Sequence, residues 1–105
     1  MELDDGDKLN RAMQRHPQAR AQLTMWRRFA ETATWTNILD VRTVFPSADG
    51  VPIRLGQKNV VITVFNIGGN NYRLLTFIHY RRQRIVVLDV LTHAEYSKGH
   101  WKNRY

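Results

Sequence analysis

No cysteine occurs among the 105 residues. Disulfide frameworks, thiolate zinc centres and cysteine nucleophiles are therefore excluded together, and a reducing compartment fits. No apolar run approaches the roughly 20 residues needed to cross a bilayer. The opening Met1-Glu2-Leu3-Asp4-Asp5-Gly6-Asp7 is acidic, where a secretory signal would be basic. These absences predict a soluble, cytoplasmic protein without a membrane partner. P-loop, dinucleotide and His-Glu-x-x-His signatures are missing as well. His16, His79, His93 and His100 lack the spacing of a helical zinc site, so neither metal nor cofactor is expected.

Acidic side chains are scarce in one half only. Residues 51–105 carry nine Lys and Arg against Asp89 and Glu95, whereas residues 1–50 carry seven of each sign. The whole excess of +7 thus resides in the second half. A one-sided positive field suits a polyanion, either nucleic acid or an acidic protein, although such a charge also serves solubility. Two acids are too few for paired-carboxylate or two-metal chemistry.

What is present reads as one domain over residues 1–105, since 43% hydrophobic content supports a modest core. Leu9, Ala12, Met13 and His16 recur at helical spacing, which predicts a helix over 7–15 with Asp4, Asp5 and Asp7 complementing its dipole. Pro17 is placed to open a second helix. Along it Ala19, Leu23, Trp26, Ala30 and Ala33 trace one apolar stripe, with Trp26 and Phe29 as core anchors. A further short helix fits between Trp35 and Phe45, capped by Thr36 or Asn37. Residues 45–52 have the composition of a loop. Three Val/Ile/Thr/Phe-rich runs follow, over 59–67, 72–80 and 85–91, joined by Gly68-Gly69-Asn70-Asn71 and Arg81-Arg82-Gln83-Arg84. They predict an antiparallel meander with helices on one face, an α+β class. Thr92-His93-Ala94-Glu95 matches a capping box, with Leu91 and Tyr96 at staple positions and Gly99 as the stop.

The polar residues left on the sheet and last helix are Arg, His, Tyr and Lys. That set suits RNA cleavage by internal attack, which needs a base for the 2′-hydroxyl, cations for the phosphate and an acid for the 5′-oxygen. Arg73 lies inside a strand and can clamp a phosphate, or simply face solvent. His93 falls in a helical first turn, where the helix dipole disfavours its protonation. Tyr96, three residues on, can hydrogen-bond a phosphate, stack a base or serve only as the staple.

Phe65-Asn66-Ile67-Gly68-Gly69-Asn70-Asn71-Tyr72-Arg73-Leu74-Leu75, then Ile78-His79-Tyr80 and Leu91-Thr92-His93-Ala94-Glu95-Tyr96, resemble the HigB family of toxins. His16-Pro17, Trp26, Trp35 and Phe45-Pro46-Ser47-Ala48-Asp49 follow its order, so the resemblance covers about residues 8–101. It implies a RelE-like fold and an endoribonuclease that cuts messenger RNA, in many members on translating ribosomes. It also implies a HigA antitoxin with a helix-turn-helix domain, through which alone operator DNA is bound. Asn70, Arg73, His93 and Tyr96 stand at matching positions. On this reading Arg73, His93 and Tyr96 are catalytic, and Asn70, Arg82, Arg84 and Lys98 contact RNA. Two departures stand out. Asn71 occupies a place where members often carry Lys or Arg, and residues 2–7 are poor material for the strand with which many relatives begin. A non-catalytic RNA- or ribosome-binding module, or an inactive relic acting as co-repressor, are the other readings.

Overall fold

The computed structural model describes residues 1–104. Strand β1 (Glu2–Asp4) is followed by helix α1 (Asp7–Arg15), a 3-10 turn (Pro17–Ala19), α2 (Arg20–Thr32) and α3 (Ile38–Val44). Four strands come next: β2 (Asp49–Leu55), β3 (Lys58–Ile67), β4 (Tyr72–His79) and β5 (Arg84–Thr92). Helix α4 (His93–Lys98) and a 3-10 turn (His100–Asn103) complete the described chain. The sheet order is β1-β5-β4-β3-β2, antiparallel except for the parallel β1–β5 pair.

The α+β class and the β3-β4-β5 meander agree with the sequence reading, but the sheet gains a strand at each edge. Against expectation, residues 2–4 form a strand. Leu3 packs on the core and pairs with Ile85, while Glu2 and Asp4 both reach Arg84. Tertiary pairing here outweighs poor intrinsic propensity. Asp4 is thus an ion-pair partner rather than a helix-dipole complement, and among the three acids only Asp7 lies in the first turn of α1. The expected loop over 45–52 is also corrected, because residues 49–55 pair with β3. Pro52 is tolerated there because β2 is an edge strand, where a missing N–H removes no interior ladder bond.

Alternation along the strands divides the apolar side chains between two faces. The first face meets α1–α3, burying Leu9, Leu23, Trp26 and Val41 against Phe65, Leu74, Ile78 and Val87. Trp26 meets Phe65 edge-on at 5.3 Å. Phe29 departs from its expected core role: it is 47% exposed and touches Phe45 at the rim. Helix α2 begins at Arg20, because Pro17 opens the preceding 3-10 turn. Asn37 caps α3 by accepting the Asp40 N–H. The second face holds Ile53, Ile62, Val64, Leu75 and Leu91, and it is covered by the C-terminal segment through Trp101, which is 1% exposed. The helices therefore do not all lie on one side. No helix among the described residues is long and apolar enough to cross a membrane.

Candidate active site

The two ends of the sheet carry different chemistry. At one end the β3–β4 turn runs through Gly68, Gly69 and Asn70 with φ of 63, 62 and 82°. Two glycines make such a run of left-handed backbone affordable. Arg73 follows the turn on the second face of the sheet and curls back over it. Its Nη1 donates to the carbonyls of Asn70 at 3.0 Å and Tyr72 at 3.2 Å. No carboxylate pairs with Arg73 among the described residues, so its charge stays unneutralised.

Helix α4 is fastened to the same end. The capping box predicted from Thr92 and Glu95 is present, with Thr92 N–H to Glu95 Oε1 at 2.9 Å and Glu95 N–H to Thr92 Oγ1 at 3.2 Å. The His93 N–H donates to the Asn71 carbonyl at 2.9 Å, joining the helix start to the turn. Gly99 closes the helix at φ 75°. These constraints set Tyr96 beside Arg73, whose guanidinium carbon lies 5.5 Å from the centre of the phenol ring. Trp101 stacks on that ring at 5.2 Å and 15°, and its Nε1 donates to the Tyr96 carbonyl at 3.1 Å. The ring is thereby engaged by an indole and a cation, while its hydroxyl has no protein partner among the described residues. Burial raises the Tyr96 pKa above its ordinary 10.0, the Asp49 charge adding and Arg73 opposing. The phenol is therefore a proton-bearing donor at neutral pH.

Of the residues singled out from sequence, Arg73, Tyr96 and the Asn70 backbone meet directly. His93 is exposed on the first turn of α4, with Nδ1 3.2 Å from Ser97 Oγ, and Lys98 is exposed in its last turn. Arg82 and Arg84 are not brought here. They sit at the opposite end, where Arg84 pairs with His79, six residues along β4 from Arg73. That is about 20 Å at roughly 3.3 Å per residue. Arg84 is moreover held by Asp4 Oδ2 at 3.0 Å and Glu2 Oε2 at 2.8 Å. Its pKa is raised, first by the hydrogen bond to Asp4. Arg82 is exposed in the β4–β5 turn.

Sequence reasoning missed two neighbours of the cluster. Trp101 is one; its signal was an isolated aromatic just past a helix-stopping glycine in an otherwise polar tail. Asn66 is the other, lying directly across from Arg73. Its signal was a poor strand former inside a run of β-branched and aromatic residues. Among the described residues no three His, Asp or Glu side chains gather closely enough to hold a metal ion.

A mostly antiparallel sheet under N-terminal helices, with an unpaired arginine and a phenol gathered where a short last helix meets it, defines a RelE-like α+β protein. Comparison with known sequences narrows this. A family model described as HigB_toxin, RelE-like toxic component of a toxin-antitoxin system, matches residues 19–99. The chain belongs to the HigB toxin family. It is 27% identical over 97 residues to the mRNA interferase toxin HigB of Escherichia coli strain K12, covering 92% of this chain and 88% of that protein. The mRNA interferase HigB of Shigella flexneri gives the same figures. A shorter match, 36% over 59 residues, joins it to an mRNA interferase HigB of Escherichia coli O6:H1, over 56% of this chain and 52% of the relative.

Proposed function

We propose that this chain is the toxin of a type II toxin–antitoxin pair, a single cytoplasmic domain over residues 1–105 that cleaves messenger RNA and arrests growth. The observation that carries the reading is Arg73, a guanidinium with no carboxylate partner among the described residues and set against Tyr96 beside the helix start that bears His93. In the reaction the ribose 2′-oxygen attacks the adjacent phosphorus, a 2′,3′-cyclic phosphate forms, and the bond to the 5′-oxygen breaks. His93 accepts the 2′-hydroxyl proton, Arg73 stabilises the charge growing on the phosphate, and a proton is delivered to the departing oxygen. With the Tyr96 ring already engaged, its hydroxyl is the part available to donate to the phosphate. Asn70 and Lys98 flank this point and contact the RNA backbone. Only RNA offers the 2′-hydroxyl, so DNA is spared. The neutralising partner is a HigA-type helix-turn-helix antitoxin, which alone carries the pair to operator DNA, and the message is met on the ribosome.

Primer extension on message from cells expressing the chain tests this reading. New 5′ ends are expected with the parent and none with Arg73→Ala or His93→Ala, each folded by circular dichroism. Growth arrest without new 5′ ends would make the chain a binder rather than a nuclease. Cleavage retained in both variants would remove the assigned site.

A further inference from the structure

From Val60 to Ile67, strand β3 is β-branched or aromatic at every position except Asn66. Asparagine is depleted in strands, so its presence there calls for a local reason. The side chain of Asn66 is exposed and shares the second face of the sheet with Ile62 and Val64, four and two residues before it. Across the ladder its partner is Arg73. Directly opposed residues of antiparallel strands hold their Cβ atoms about 5 Å apart. No side-chain hydrogen bond engages the Asn66 amide among the described residues. A free amide presents both an acceptor oxygen and a two-proton donor; a base edge can engage both, whereas a phosphate engages only the donor.

We infer that Asn66 is a specificity-determining residue, its amide reading the edge of the base next to the phosphate held by Arg73. The inference rests on the reading of Arg73 as the phosphate-binding cation. In an unpaired message both hydrogen-bonding edges of a base are open to a side chain, as they are not in a duplex. Arg73 fixes the backbone and so places one neighbouring base within reach of the cross-strand residue. The Tyr96 ring, engaged by Arg73 and Trp101, is not free to act as a stacking platform. Discrimination at this end therefore falls to a hydrogen-bonding group, and Asn66 supplies one without a competing partner.

The test is cleavage, on programmed ribosomes, of a set of synthetic messages in which each position around the scissile bond is varied among the four bases, with kcat/KM measured for each. The parent is expected to prefer particular bases at one position by roughly tenfold, the scale of a good two-point amide–base contact. Asn66→Ala is expected to collapse that ratio towards one, mainly by losing turnover on the favoured RNAs. Asn66→Gln, which keeps the amide, is expected to retain a preference. An unchanged base ranking in Asn66→Ala overturns the inference, and so does an equal loss on all RNAs. Arg73→Ala is run alongside. If that variant still cleaves, the underlying reading of the site has failed; if it is inactive while Asn66→Ala keeps its ranking, only the role of Asn66 has.

Discussion

Arg73 and Arg84 stand on neighbouring strands and on the same face of the sheet, yet their surroundings are opposite. Arg84 meets two carboxylates brought by β1, and its charge is neutralised at the sheet edge. Among the described residues Arg73 meets only backbone carbonyls and a phenol ring, and no carboxylate neutralises it. A count of basic residues cannot separate the two. What separates them is which distant segment packs alongside. The N-terminal strand neutralises Arg84 at one end, and the C-terminal helix frames Arg73 at the other.

The sharpest way to break this contrast is to remove the support of the open end. Trp101→Ala should lower stability by about 3–5 kcal/mol in urea unfolding, as for other buried tryptophans. Trp101→Phe should cost much less, since it keeps a ring against Tyr96. Next comes the contrast itself. Arg73→Ala should reduce cleavage of ribosome-bound message roughly 100- to 1,000-fold with little change in melting temperature, the scale for losing one charge-stabilising group. Arg84→Ala should do the reverse, lowering the melting temperature and leaving cleavage by the folded protein within a few-fold. Equal catalytic losses in the two variants would show that the ends are not functionally distinct. Smaller still, Thr92→Ala should cost about 1 kcal/mol through the lost cap. The smallest effect is with acid. Glu95 is held below its ordinary 4.5, first by the Thr92 N–H, and Asp4 is lowered first by its hydrogen bond with Arg84. For carboxylates with depressed values the stabilisation is present above the ordinary pKa and fades as pH falls through the native one. Stability followed by circular dichroism should thus start to decline below about pH 4.5, with both ends loosening.

The parts of the fold set by neighbouring residues were legible in the chain. The 3.6-residue stripe through Leu23, Trp26 and Ala30, the capping box at Thr92 and Glu95, and the glycine-rich β3–β4 turn all depend on spacings of a few residues, and all are present. The two edge strands were not, because each depends on a partner elsewhere in the chain. Residues 2–4 form a strand only beside residues 84–86, and Pro52 reads as loop until β3 is alongside. The same distinction holds at the candidate site. Arg73, His93 and Tyr96 were singled out by local type and motif, whereas Asn66 required the register of β3 against β4. Arg84 was grouped with the RNA contacts because sequence gives its charge and not the acids some 80 positions upstream.

That separation has a consequence for how the molecule comes into being on the ribosome. The Arg84–Asp4 hydrogen bonds join residues 80 apart. Chains elongate at about 5–20 residues per second, so the first strand waits roughly 4–16 s for its partner to be made. The Arg73–Tyr96 contact needs β4 and the last helix as well. Shorter nascent chains therefore lack both the partner of the first strand and the indole that closes the second face of the sheet.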